Sequence, residues 1–300
     1  MTPRSQGIFL RTLRTVIAIA VWGLLTWSTV AMAVGQKSMP ALAEWLRSVQ
    51  FIPAAVAFSL STVIVWVLVT LIFGRVYCST LCPLGVWQDG CARARRLSDK
   101  GRRRNHYHFS RALTPWRTVS LGIFLVAIFL GLDLVSSVLE PWTIYSEACQ
   151  RLVAPVIVYL DGLMDDTAAR LTIASTTGAI VSAVLLGGIS AVASRHGRTF
   201  CNSLCPVGTA LGYVSRYSLI HIEIDTDLCT QCRRCEHVCK ASCIDLIDHV
   251  VDGSRCVGCF DCLTACRDGA IRYTASRKPL STPMMQRISD RPFNSSQAAG

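Results

Sequence analysis

Four stretches of this 300-residue chain stay apolar long enough to set its first reading. They run over roughly 15–34, 54–73, 119–139 and 173–193, the last being the least hydrophobic. A run of about 20 apolar residues is the length of helix that crosses the ~30 Å hydrocarbon layer, so the pattern predicts four transmembrane helices. Asp133 interrupts the third run. It marks either a polar group facing the bundle or an early end of the helix, and the early end is the simpler reading. Near Tyr213 the composition changes. Ser218–Asp227 alternates like a short strand, and the residues after it are spaced for ligation rather than for a core. The expected architecture is therefore multi-domain: a polytopic membrane domain over 1–217, a small α+β domain over 218–278, and a disordered Ser-, Gln- and Ala-rich tail over 279–300.

The net charge of +11 is distributed in a way that orients those helices. Arg4, Arg11 and Arg14 precede the first run, and ten more basic residues lie from Arg75 to Arg117, after the second. The other two connections hold only Lys37 and Arg47, and Arg151 and Arg170. The positive-inside rule then puts both termini on the cytoplasmic side and loops 35–53 and 140–172 outside. The chain reads as a multi-pass protein of the bacterial cytoplasmic (inner) membrane, with membrane lipid as its surroundings and no nucleic acid as a partner. Residues 1–33 also carry the marks of a signal peptide, ending in Ala31-Met32-Ala33; cleavage there would remove the first helix and leave the orientation of the rest unchanged. The apolar segment 152–164 is too short to cross and lies on the surface or re-enters.

Fifteen cysteines change the picture, because twelve of them fall into four tight motifs. GRVYCSTLCPLG at 74–85 returns as GRTFCNSLCPVG at 197–208, each copy following a pair of apolar runs. This predicts a duplicated two-helix unit ending in a C-x3-C-P motif at the cytoplasmic face. Cys78 and Cys82, and Cys201 and Cys205, are spaced to share one face of a helix. Pro83 and Pro206 then begin a new helix, whose start lowers a thiol's pKa. Arg75 and Arg198 add charge nearby. Three readings compete: each pair cycles between dithiol and disulfide, all four converge on one metal or cluster, or each motif shapes a surface for a quinone headgroup or a partner. Recurrence at equal spacing argues against plain packing.

The last motifs are the most specific. Cys229, Cys232, Cys235 and Cys239 are spaced C-x2-C-x2-C-x3-C, and Cys256, Cys259, Cys262 and Cys266 repeat that spacing. This is the bacterial ferredoxin ligand run, given twice, in which the fourth cysteine of each run serves the other cluster. The expectation is two [4Fe–4S] clusters, one on Cys229, Cys232, Cys235 and Cys266, the other on Cys256, Cys259, Cys262 and Cys239. Zinc also binds C-x2-C pairs, but not ordinarily in two identical four-cysteine runs. Lys240 and Arg267 stand where proline usually follows, and their charge favours the more negative reduced form. Ile244, Leu246, Ile247, Ile271 and Tyr273 are placed to seal the clusters from water. Cys243 is extra; it is either an alternative ligand or a small buried residue, and the buried residue is the simpler reading.

Cys91 and Cys149 read as single thiols, with Cys149 in the outer loop. His106 and His108 flank Tyr107 as ordinary interfacial residues, or accompany proton release from a quinol. Trp116 and Trp142 suit the aromatic belts. His196 and His221 have no evident partner. There is no C-x-x-C-H haem motif and no Gly-rich dinucleotide fingerprint.

Four apolar runs, two GRxxCxxxCPxG motifs and a double ferredoxin run together resemble the NapH/MauN-type membrane ferredoxin family over roughly 10–275. The chain is also similar to the C-terminal half of NosR and, in parts, to proteins of cytochrome oxidase assembly and copper reduction. The resemblance places Cys78, Cys82, Cys201 and Cys205 at the family's cysteine pairs and the eight ferredoxin cysteines at its cluster ligands. It implies a respiratory-chain electron-transfer subunit that takes electrons from quinol, or from a cytoplasmic donor, and passes them to a partner redox subunit. Two alternatives stay open: a maturation factor that reduces a metal or thiol for a reductase under assembly, and a cluster-based redox sensor. Lys240 and Arg267 depart from the pattern, and the flavin-bearing outer domain of NosR is not present in these residues.

Overall fold

The computed structural model describes residues 3–36, 40–48, 50, 60–98, 107–132, 138–160 and 176–275. The tail after Ala275, Asp133, His106 and the first part of the second apolar run lie outside these residues.

The first apolar run forms one continuous helix, α1, over Pro3–Ala33. A short amphipathic helix, α2, covers Ala41–Ser48. The second run is α3, Leu60–Phe73, and the last is α9, Thr176–His196. Between them lie α4 (Tyr77–Thr80), α5 (Pro83–Ser98), α6 (Thr114–Phe129), α7 (Pro141–Ala148), a π-helical turn over Cys149–Val153 and α8 (Ala154–Leu160). Among the described residues, two helices are long and apolar enough to cross a membrane, Arg4–Ala33 and Thr177–His196; the apolar segments Ser61–Phe73 and Thr114–Phe129 are shorter.

The third helix does not run over 119–139. It begins at Thr114, with Pro115 in its first turn, and ends at Phe129. Leu130 closes its C-terminus and Gly131 turns the chain away at φ 67. Sixteen residues at 1.5 Å each give about 24 Å, short of the ~30 Å layer. Cys149, expected as a single thiol in the loop 140–172, is buried in the apolar core beside Tyr145, where the chain packs the turn after α7 inward.

α10 (Thr199–Ser203) and α11 (Pro206–Ser215) lead into the small domain. There β1 (Ile220–Ile224) pairs antiparallel with β4 (Ile271–Ala275), pairing Ile222 with Tyr273. Between them come α12 (Arg234–Val238), the two-residue strands β2 (Ile244–Asp245) and β3 (Val250–Val251), and α13 (Asp261–Ala265). The two halves of this domain share their loop geometry. Gln231 and Gly258, each preceding the second cysteine of its run, have positive φ, as do Arg233 and Phe260, each opening its short helix. Left-handed residues at matched positions curl both loops alike, the geometry that turns successive N–H groups inward.

The small domain sits at one common end of the apolar helices. Arg11 near the start of α1 reaches Asp261 (Nε to Oδ1, 2.9 Å). The Tyr273 hydroxyl donates to the carbonyl of Phe73 at the end of α3 (3.0 Å). Arg117 at the start of α6 donates to Ser254, and the amide of Arg198, just past α9, donates to the carbonyl of Lys240 (2.8 Å).

Candidate functional site

The eight ferredoxin cysteines separate into two groups. Cys229, Cys232, Cys235 and Cys266 line one cavity with Thr230, Gln231, Leu246 and Ile271. Cys232 is exposed and Cys229 half-buried, so this group opens to solvent. The second group is interior. Cys262 feels, after burial itself, the charges of Cys259, Cys256 and Cys239, and more weakly that of Cys235, a member of the first group. The two groups are therefore neighbours. Ile244, Leu246 and Ile271 are buried around them and Tyr273 packs alongside. Ile247 does not contribute: it is 69% exposed, because the turn after β2 carries it outward.

Cys243 belongs to the second group in space. Its Sγ lies 3.5 Å from that of Cys239, and it also bonds to Cys256. The bond from Cys243, more than any other influence, brings Cys239 down to about 7 and lowers Cys256 as well. Position 270, four residues after Cys266 as Cys243 is four after Cys239, holds alanine.

The four remaining motif cysteines also come together, at the seam between the helices and the small domain. All four are buried. The two motif copies interlock: Arg198 Nη1 donates to the carbonyl of Cys78 (2.6 Å), and Arg75 Nη2 donates to that of Cys201 (3.3 Å). Each glycine that ends a motif makes room for this exchange. A Cβ on Gly85 would collide with the Cys78 carbonyl and stand 2.7 Å from Arg198 Nη1; one on Gly208 would collide with the Cys201 carbonyl and stand 2.8 Å from Arg75 Nη2. Cys205 caps α11, its sulfur accepting from the amide of Gly208 (3.3 Å).

The sequence-based expectation that these helix starts lower a thiol's pKa is overturned. Burial, helped by the neighbouring thiols, pushes Cys82 and Cys205 far up despite the amides of Gly85 and Gly208. A helix terminus acts at short range, while removal from water penalises the whole thiolate.

Several residues here carry no motif. Asp89 on α5 is buried and receives Arg198 Nε at 2.9 Å, Lys240 Nζ at 3.4 Å and Arg14. Burial alone would raise its carboxyl, but these three cations outweigh it and hold it well below the usual range. Lys240 is buried too and also pairs with Asp261 (3.0 Å). Desolvation works against its charge, and Asp89 and Asp261 more than compensate. The Cys201 thiol donates to Gln88 Oε1 (3.5 Å), and Asn202 Oδ1 accepts from Arg75 Nη1 (3.0 Å). The signal in the sequence was a polar pair, Gln88-Asp89, following the apolar first turn of α5, but nothing in it named the partners.

His108 approaches Glu236 (3.8 Å) and stacks edge-on with His237, and His221 bonds to Glu223 (3.0 Å). Cys91 is half-buried on α5. Among the described residues no group of three or more His, Cys, Asp or Glu side chains is gathered for a single metal ion.

A family model described as a 4Fe-4S binding domain matches the chain twice, over 56–103 and 178–224. Each match contains one C-x3-C-P motif and ends before Cys229. The ferredoxin-type protein NapH of Escherichia coli is 28% identical over 232 residues, 74% of this chain and 69% of that protein. The methylamine utilization ferredoxin-type protein MauN of Paracoccus denitrificans is 29% identical over 188 residues, 62% of this chain and 56% of that one. The putative electron transport protein YccM of Escherichia coli is 24% identical over 234 residues, 76% and 58% of the two chains. The chain spans between 46% and 81% of the length of the curated relatives it matches. No solved structure matches significantly. Its two matches to a 4Fe-4S binding domain and these relatives make the chain similar to the ferredoxin-type iron–sulfur proteins NapH and MauN.

Proposed function

We propose that the chain is a membrane-anchored electron carrier that links the quinone pool, or a soluble cytoplasmic donor, to a partner redox subunit. Cys229, Cys232, Cys235 and Cys266 hold one [4Fe–4S] cluster, and Cys256, Cys259, Cys262 and Cys239 the second. The observation that carries this reading is the crossed grouping of the eight thiols, with the fourth cysteine of the second run in the cavity of the first. The donor set fits the cluster: all-thiolate, with left-handed turns at Gln231, Arg233, Gly258 and Phe260 that direct amides toward it. Such a cluster supplies a one-electron couple whose potential answers to charge, hydrogen bonds and exposure.

The protein's own part is to order the two sites from water inward. Cys232 marks the solvent end, where a soluble partner docks. Cys259, Lys240 and Asp89 mark the inner end, against the helices. The apolar helices support a multi-pass anchor: Val16, Ile19, Ile64, Val65, Ile123, Val126, Ile180 and Val184 point outward from four of them, as lipid-facing residues do. The basic start of α1 and of α6 and the ends of α3 and α9 meet the small domain together, which supports a cytoplasmic position for both termini and the thiol groups. A duplicated two-helix unit accounts for this alternation.

Titration of the protein in membranes tests the donor. Quinol should reduce the clusters, as seen by EPR. Clusters that stay oxidised with quinol but are reduced by a soluble low-potential donor would refute the quinone arm.

A further inference from the structure

We infer that Cys78, Cys82, Cys201 and Cys205 together hold a third iron–sulfur cluster, at the seam between the helices and the small domain. The inference deepens the reading of the chain as an iron–sulfur carrier and rests on it, but it concerns four thiols outside the double ferredoxin run.

Convergence is the first support. The four thiols come from two segments far apart in sequence, yet each segment's arginine is anchored on the other segment's first cysteine. This reciprocal pair makes the two motifs one site rather than two, with all four thiols removed from solvent.

Charge is the second and independent support. Arg75 is fully buried. Its acceptors are all neutral: Asn202 Oδ1 and the Ser254 carbonyl at 3.0 Å, the Cys201 carbonyl at 3.3 Å, and the Cys78 sulfur at 3.9 Å. Among the described residues no carboxylate forms an ion pair with it. A guanidinium buried without a counter-ion is strongly unfavourable. Arg75 Nε, Arg198 Nη2 and Gln88 Nε2, all buried, have no hydrogen-bond partner either. Four cysteine thiolates around an iron–sulfur core form an anion, and it would supply both the missing charge and the missing acceptors. The amides of Gly85 and Gly208, already directed at Cys82 and Cys205, are donors of the kind that stabilise ligand sulfurs.

Position is the third. Cys78, Cys82 and Cys205 share an apolar cluster with Val257, and Cys259 packs against it. The amide of Arg198 is bonded to the carbonyl of Lys240, the residue after Cys239. The four-thiol site therefore adjoins the second ferredoxin group, which adjoins the first. Soft thiolates also suit zinc and copper(I), and two vicinal thiols also form a disulfide, so composition decides among them. The two segments matched by the 4Fe-4S family model contain these four cysteines, which favours iron.

The test is metal and sulfide analysis of the full chain, purified anaerobically in detergent and reconstituted with iron and sulfide. Three cubanes require about 12 iron per chain, two require about 8. The expected result is about 12 in the wild type, falling to about 8 in the double variant Cys78→Ser with Cys201→Ser, with the EPR signals of the ferredoxin pair retained. About 8 iron in the wild type overturns the inference and leaves the ferredoxin clusters standing, as does stoichiometric zinc or copper at these thiols. About 4 iron, lost in the double variant, would instead leave this site standing and refute the ferredoxin pair. The wild-type count decides even if the variant does not fold.

Discussion

Replacing Cys243 with alanine isolates a single hydrogen bond at the second thiol group. The substitution suits the fold, because the matching position after Cys266 is Ala270, which is buried as Cys243 is. Cys243 Sγ stands 3.5 Å from Cys239 Sγ and also bonds to Cys256. Once both neighbours are ligated thiolates, only Cys243 has a proton to give. It has one, so the substitution removes one weak bond and not two. A donor bonds more strongly to the reduced, more negative site, by about 1 kcal/mol for a bond of this class. With about 1.4 kcal/mol corresponding to 59 mV for a one-electron couple, Cys243→Ala lowers the potential of that cluster by roughly 40 mV. The other cluster, which Cys243 does not touch, moves by less than about 10 mV. Potentiometric titration followed by low-temperature EPR on the solubilised full chain measures both. An upward shift, or an equal shift of both clusters, would refute the reasoning.

Three further outcomes follow from the seam. Asp89→Asn leaves Arg198, Lys240 and Arg14 without their shared carboxylate, and removing one side of a buried pair costs about 3–5 kcal/mol, so the thermal midpoint in detergent drops and protease cuts between α11 and β1 sooner. Because the folded-state pKa of Asp89 is depressed, its contribution is full above the ordinary carboxylate range and is lost only as pH falls below it; the wild type should lose stability in acid more steeply than the variant, and parallel pH profiles would count against the assignment. Gly85→Ala and Gly208→Ala each drive a methyl into a backbone carbonyl and should sharply lower the yield of folded protein, whereas Gly90→Ala on α5 meets nothing within 4 Å and should be neutral or stabilising by up to about 1 kcal/mol. Ile247→Ser, at a site 69% exposed, should change the unfolding midpoint by no more than about 0.5 kcal/mol and leave both potentials in place.

Much of the site was legible before the fold, and its reach followed the range of the interactions. The two ferredoxin runs are local patterns, so spacing alone raised the expectation of thiolate ligands and of their crossing. The strand in Ser218–Asp227 showed in its alternation and forms over Ile220–Ile224. The end of the third helix was harder. Its apolar composition continues past Phe129, but Gly131 takes a left-handed turn that hydropathy does not register. The thiol pKa values failed for a similar reason. A proline-started helix is visible in sequence, whereas burial depends on what packs over it.

What the sequence determined by itself was the inventory: apolar runs, basic flanks, two paired thiol motifs and eight ferredoxin cysteines, each defined by neighbours within a dozen residues. Only the tertiary structure decided which of them meet. Arg75 and Arg198 crossing between the motif copies, Asp89 gathering three cations, and Cys243 lying between Cys239 and Cys256 all depend on packing across long separations. No local pattern encodes such contacts, because each is the product of every element that brings the two partners together.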